Sequence, residues 1–165
     1  VIDAAAAEAA ASSALAALVR QRDAMLLPWG EVGTGTPVLV HTPEGAPAYW
    51  LVPLVAAARA IGFARVDQAG AVAAIGITCR TPGRVEACPR LVTVLSASEA
   101  LARAKLRPGE TARPPRYVHD GPPGREAWLI ETERGGRPHR WIFVTAAGAY
   151  DRPAGTPFGS DPLVE

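Results

Sequence analysis

Asparagine is absent from the 165 residues, and methionine (Met25) and lysine (Lys105) occur once each. So few thermolabile residues fit a hot habitat, although the bias toward Arg, Ala, Gly and Pro is also that of a GC-rich genome. No apolar run approaches the roughly 20 residues needed to cross a bilayer as a helix, so no membrane span is expected. The chain opens at Val1 with neither Met nor a signal peptide, which reads as a mature, processed N-terminus or a trimmed one. Several signatures of chemistry are also missing. There is no H-E-x-x-H or C-x-x-C-H, so a metal or haem role for His41, His119 and His139 is not expected. No G-x-S-x-G elbow is present, and Ser160 lies in a terminal arm. Neither Gly33-Thr-Gly-Thr36 nor Gly70 to Gly76 has the glycine and lysine spacing of a phosphate loop. We therefore expect no cofactor, no metal and no catalytic residue.

Cysteine is scarce but placed. Cys79 and Cys88 flank Pro82-Gly83, which bends the chain back and lets the sulfurs meet. A disulfide is expected, with free thiols as the alternative, and a disulfide points to a secreted, extracellular protein. The net charge of +1 argues against nucleic acid as a partner. That charge is uneven. Residues 76–140 hold twelve basic against seven acidic side chains, while residues 1–75 hold four against six. An acidic front and a basic middle can attract each other between molecules, or simply form a solvated mixed surface.

What is present is a repeat. At an offset of 78, Val40-His41 falls on Val118-His119, Trp50-Leu51 on Trp128-Leu129, and Arg59 on Arg137. Val66 falls on Val144, and Ala69-Gly-Ala71 on Ala147-Gly-Ala149. A fixed period of this kind divides a chain before any other feature is considered. The Ala-rich stretch from Asp3 to Arg22 predicts a helix, with acids at its start and arginines at its end. Ser96-Ala-Ser-Glu99 is a capping box opening a helix that Pro108-Gly109 stops after Arg107. Short apolar runs with Gly-containing breaks after each helix predict antiparallel meanders. The fold expected is therefore α+β: two repeated units, each a helix packed on an antiparallel meander of about four strands. The divisions are a first unit over 1–78, a disulfide loop and linker over 79–95, a second unit over 96–152 and a C-terminal arm over 153–165. Both strand faces are apolar, so each sheet wants a second cover, from the other half or from a partner.

The second unit resembles a PepSY-type domain of cystatin-like α+β shape. The resemblance rests on Ser96-Ala-Ser-Glu-Ala-Leu-Ala-Arg-Ala104, Pro108-Gly109, Glu126-Ala-Trp-Leu-Ile-Glu131, Gly135-Gly136, Trp141-Ile-Phe-Val-Thr145 and Ala147-Gly148. Ala48-Tyr-Trp-Leu-Val-Pro53 and Gly62-Phe-Ala-Arg-Val-Asp67 are similar to a more distant copy, making a tandem. The resemblance implies an extracellular, non-enzymatic domain that serves as a protease propeptide, inhibitor or chaperone, or as a binding module. It carries over no catalytic residue.

Candidate interaction residues follow from charge and composition. Glu131 and Glu133 share a strand face, and Arg134, Arg137 and Arg140 cluster on the adjoining turn and strand, which suggests one ion-pair lattice or a partner site. Pro153, Phe158 and Leu163 belong to an arm that needs something to hold it. Tyr49, Trp50, Trp128, Trp141 and Phe143 are expected in the core. The expected function is that of a secreted, non-enzymatic structural or interaction protein. It would join copies of itself into an oligomer or filament through strand edges and the arm. The alternative is a PepSY-like inhibitor or chaperone of a secreted protease.

Overall fold

The computed structural model describes residues 1–121 and 123–156. It holds two α-helices, α1 (Ala4–Arg20) and α2 (Ala97–Arg103), and ten strands. The strands are β1 (Gly33–Thr34), β2 (Val38–His41), β3 (Pro47–Ala56), β4 (Arg59–Asp67), β5 (Val72–Ile77), β6 (Glu110–Ala112), β7 (Arg116–His119), β8 (Glu126–Arg134), β9 (Arg137–Val144) and β10 (Ala149–Pro153). They hydrogen-bond in the order β10-β9-β8-β7-β2-β3-β4-β5, with β1 on β3 and β6 on β8. The sheet is mixed, because β2 and β7 run parallel at His41 and Val118.

The expected α+β fold of two helix-on-meander units is overturned. Strand residues outnumber helical ones about two to one, and one mixed sheet replaces two meanders. The helices do not repeat either. Shifted by 78, α2 falls on residues 19–25, where α1 is already ending. What repeats is strand pairing. Trp50 lies opposite Val66 and Trp128 opposite Val144, both at the offset of 78. Each hairpin slips register at the same place, between Leu54 and Val55 in one and between Thr132 and Glu133 in the other. The two-residue β1 and three-residue β6 are also equivalent, Thr34 opposite Leu54 and Ala112 opposite Thr132. Strands this short leave no periodicity to read in the sequence.

The chain divides into two compact units, Val1–Val40 with Pro47–Val94, and His41–Ala46 with Leu95–Glu165. In the first, Asp3 caps α1 by accepting from the Ala6 amide at 2.8 Å. Ala7, Ala11 and Leu15 then bury one stripe at helical spacing. The alanines let α1 lie close on Val52, Ala64 and Val66 of β3 and β4. Leu15 joins Leu26, Trp29, Leu54, Ile61 and both cysteines in a second cluster. Gly62 is required where β4 meets β5, since a β-carbon there would stand 2.1 Å from the Gly76 carbonyl oxygen.

In the second unit the capping box forms, with the Ser96 amide donating to Glu99 at 2.7 Å. The helix nevertheless ends at Arg103 rather than Arg107. Residues beyond it are recruited elsewhere: the Lys105 carbonyl accepts from Arg140 at 2.7 Å, and the Arg107 amide donates to Glu110 at 2.6 Å. Alternation along β8 and β9 sends Ile130, Ile142 and Val144 toward Ala100 and Ala104 of α2. Leu129, Trp141 and Phe143 point to the opposite face. No helix among the described residues is long and apolar enough to cross a membrane.

Candidate functional site

The second unit carries a cleft of about 510 Å³ between the end of α2 and the edge strand β10. Ala102, Arg103 and Lys105 form one wall, Arg140 and Ile142 the floor, and Gly148 to Asp151 the other wall. Beneath it sits an ionic lock. The Glu110 side chain is inaccessible, and its carboxylate accepts from Arg140 Nε at 2.7 Å and Arg140 Nη2 at 2.8 Å. His139 Nδ1 lies 2.7 Å from the same carboxylate. The Arg140 guanidinium, helped by the Arg107 amide and His139, holds the Glu110 carboxyl well below the usual carboxylate range against the opposing effect of burial. Arg140 also pairs with Asp151 at 3.1 Å, and Arg107 meets the same Asp151 oxygen at 3.1 Å. Asp151 thereby ties β10 to the lock.

The other face of β10 is tied down separately. Asp120 is buried, and both the Tyr150 hydroxyl and the Arg152 guanidinium donate to its carboxylate. The Tyr150 ring stacks on Phe143 with centroids 5.2 Å apart, and Arg152 lies 4.9 Å over the Phe143 ring. Burial, followed by the bond to Asp120, pushes the Tyr150 phenol up to about 12. Alternate residues of one short strand are thus anchored on opposite faces.

Those anchors leave the outer backbone of β10 exposed in a fixed geometry. Thr145 donates to the Gly148 carbonyl, and Ala154 donates to the His139 carbonyl. Antiparallel pairs alternate between bonded and unbonded. By that parity Gly148, Tyr150, Arg152 and Ala154 bond inward to β9. Ala149 and Asp151 turn both their N–H and C=O outward, and Pro153 turns a carbonyl only. The same argument applies to β5, where Thr78 donates to Ile61. Gly76 and Ala74 bond inward, and Ile75 and Ile77 face out. Both strands end the sheet order, with no further strand beside them among the described residues.

The residues singled out from sequence are placed as follows. Cys79 and Cys88 are disulfide-bonded with Cα atoms 5.4 Å apart, and the bridge is packed among Leu26, Trp29 and Ile61. Glu131 and Glu133 do share a face of β8, but they meet other arginines than those beside them in sequence. Arg116 reaches Glu131 at 3.4 Å, and Arg113 Nε reaches Glu133 at 2.8 Å. The reason is that β6 and β7 both pair with β8 and bring residues 113–116 alongside it. Arg134 instead donates to the Pro108 carbonyl at 3.1 Å, and Arg137 is exposed opposite it at the hairpin turn. Pro153 ends β10, while Phe158 and Leu163 lie outside the described residues. Tyr49, Trp141 and Phe143 are buried, and Trp50 and Trp128 are half-buried, their indole N–H groups donating to the carbonyls of Ile2 and Leu95.

Glu110, Asp120, Tyr150 and Arg152 escape a reading of the sequence. One signal for the lock is present: Arg140 abuts the apolar run Trp141-Ile-Phe-Val144, where a buried arginine demands a carboxylate. Among the described residues no group of three or more His, Cys, Asp or Glu could hold a metal ion. No family model, curated protein or solved structure matches this chain.

Proposed function

We propose that this protein is a non-enzymatic interaction protein that works outside the cytosol and joins copies of itself by pairing strands at the β5 edge. One observation carries the reading. β5, Val-Ala-Ala-Ile-Gly-Ile over Val72–Ile77, closes the sheet with no charged residue and no proline. Sheet edges are normally protected by charge, by proline or by a covering element, because unpaired N–H and C=O groups template association. The bulge near Val66 and Val72 twists one end, while Ala74 to Ile77 stay in regular register with β4. A second copy adds main-chain hydrogen bonds there, and its apolar side chains meet Ile75 and Ile77. The extracellular placement rests on the Cys79–Cys88 bridge, a bond that persists in oxidising compartments.

The test is native mass by light scattering across a concentration series, for the wild-type chain and for Ala73→Lys. Ala73 is exposed, so a lysine there charges the edge without entering the core. The wild type is expected to gain mass with concentration, and Ala73→Lys to stay monomeric with an unchanged circular dichroism spectrum. A monomeric wild type at every concentration, or a variant that assembles equally well, refutes the reading.

A further inference from the structure

The second sheet edge differs from β5 in its surroundings, and the difference points to a different partner. On its outer side β10 offers the N–H and C=O of Ala149 and of Asp151, while the Pro153 carbonyl already accepts from the Thr156 amide and hydroxyl. The side chains of Ala149 and Asp151 lie on the face that carries the cleft, beside Ile142. A strand laid against β10 would therefore place every second side chain over that cleft, against the end of α2. The charge of the cleft is not balanced. Arg140 and Arg107 are engaged by Glu110 and Asp151. Arg103 has the exposed Glu99 carboxylate one turn back and a 3.5 Å contact with the Ala146 carbonyl, and Lys105 makes no ion pair among the described residues. Two cations thus stand on the wall facing the open edge, one near each end of the ladder. Arg103 lies toward Ala146, and Lys105, another cleft-lining residue, has its backbone carbonyl bonded to Arg140, the partner of Asp151.

We propose that the β10 edge and the α2 cleft form a groove that binds an extended acidic peptide by strand addition, with carboxylates two residues apart facing Arg103 and Lys105. Main-chain bonds to Ala149 and Asp151 supply affinity that does not depend on side chains, and the two cations select for acidic residues at alternate positions. The groove needs little rearrangement to bind. β10 is already held from one face by Asp151 in the ionic lock and from the other by Asp120, so the edge presents its donors preorganised. Pro153 sets the length of the ladder, since it has no N–H to offer.

The experiment uses the full chain and a fluorescein-labelled hexapeptide alternating threonine and glutamate. A second hexapeptide has lysine in place of each glutamate. Saturable anisotropy is expected with the acidic peptide and none with the basic one. Amide chemical-shift changes should centre on Ala149 and Asp151. Arg103→Glu with Lys105→Glu, both on exposed side chains, should weaken binding about tenfold or more. Ala73→Lys, which alters only the β5 edge, should bind as the wild type does. No saturable binding, equal binding of the two peptides, or shifts at Arg103 and Lys105 without shifts at the Ala149 and Asp151 amides would each overturn the proposal.

Discussion

The repeat provides a controlled experiment on backbone strain within one molecule. Hairpins β3–β4 and β8–β9 are closed by two-residue turns at equivalent positions, Ala57-Ala58 and Gly135-Gly136. All four residues have positive φ: 45° and 61° for the alanines, 57° and 73° for the glycines. Two-residue hairpin loops favour this geometry because its twist matches that of the strands, and glycine or asparagine normally supplies it. An L-residue with a β-carbon held there costs about 1–2 kcal/mol. Replacing it by glycine also frees the unfolded chain, which offsets about 0.4–1 kcal/mol. Ala57→Gly with Ala58→Gly should thus stabilise the protein by about 1–2 kcal/mol in total. Gly135→Ala with Gly136→Ala should destabilise it by a similar amount. A β-carbon at Gly135 or Gly136 would have no atom within 4 Å, so packing contributes nothing to the reverse swap. Urea and thermal unfolding of the three proteins measure both effects, and for a chain of this size each kcal/mol moves Tm by about 2–4 °C. If the glycine variant is no more stable, or the alanine variant is no less stable, the strain assigned to the turn is wrong.

Three further outcomes are expected. Cys79→Ala with Cys88→Ala should lose about 2–3 kcal/mol by the loop-entropy estimate for so short a ring, and a reducing agent should lower the wild-type Tm but not that of the variant. Removing Glu110 leaves Arg140 buried with only Asp151 opposite, so Glu110→Ala should cost about 3 kcal/mol, the low end for a broken buried pair. The native Glu110 carboxyl protonates at lower pH than its unfolded counterpart, so the unfolded chain binds more protons in acid. Stability conferred by Glu110 is therefore present above the ordinary carboxylate range and is lost as pH falls through and below it. Denaturation at a series of acidic pH values should show a steeper loss for the wild type than for Glu110→Gln, and parallel slopes would contradict the lock.

How much of this was open to sequence reading depended on the range of the interaction. Local chemistry could be read directly: the alanine-rich α1 with an acid at its start, the Ser96–Glu99 box and the bend between Cys79 and Cys88 each involve residues close in the chain. The repeat was legible as well. Its matching tryptophans mark the register of two hairpins, since Trp50 and Trp128 take equivalent partners. The repeat did not carry information about the helices, because an alanine-rich stretch and a capping box both signal a helix without fixing where it ends. The end of α2 is set against the distant Arg140, which claims the Lys105 carbonyl 35 residues before it and Glu110 30 residues before it. The parallel joining of β2 to β7 was equally out of reach, since a single residue pair, His41 with Val118, leaves no pattern in either strand.

The departures between the two copies carry more functional information than their agreement. At the offset of 78, Gly62 falls on Arg140 and Ile61 on His139. In the first copy the glycine lets a carbonyl of β5 approach closely, and the strand beyond is apolar and uncharged. In the second copy an arginine at the same position cannot accept that approach, and it holds Glu110 and Asp151 instead. One substitution thus separates an edge closed up against its neighbour and suited to an apolar partner from an edge pinned by ion pairs beside a cleft. Two edges built on the same strand pairing are thereby given different chemistry. A protein that only aggregated through its edges would have no need of the second arrangement, and this asymmetry motivates testing β5 and β10 with separate partners.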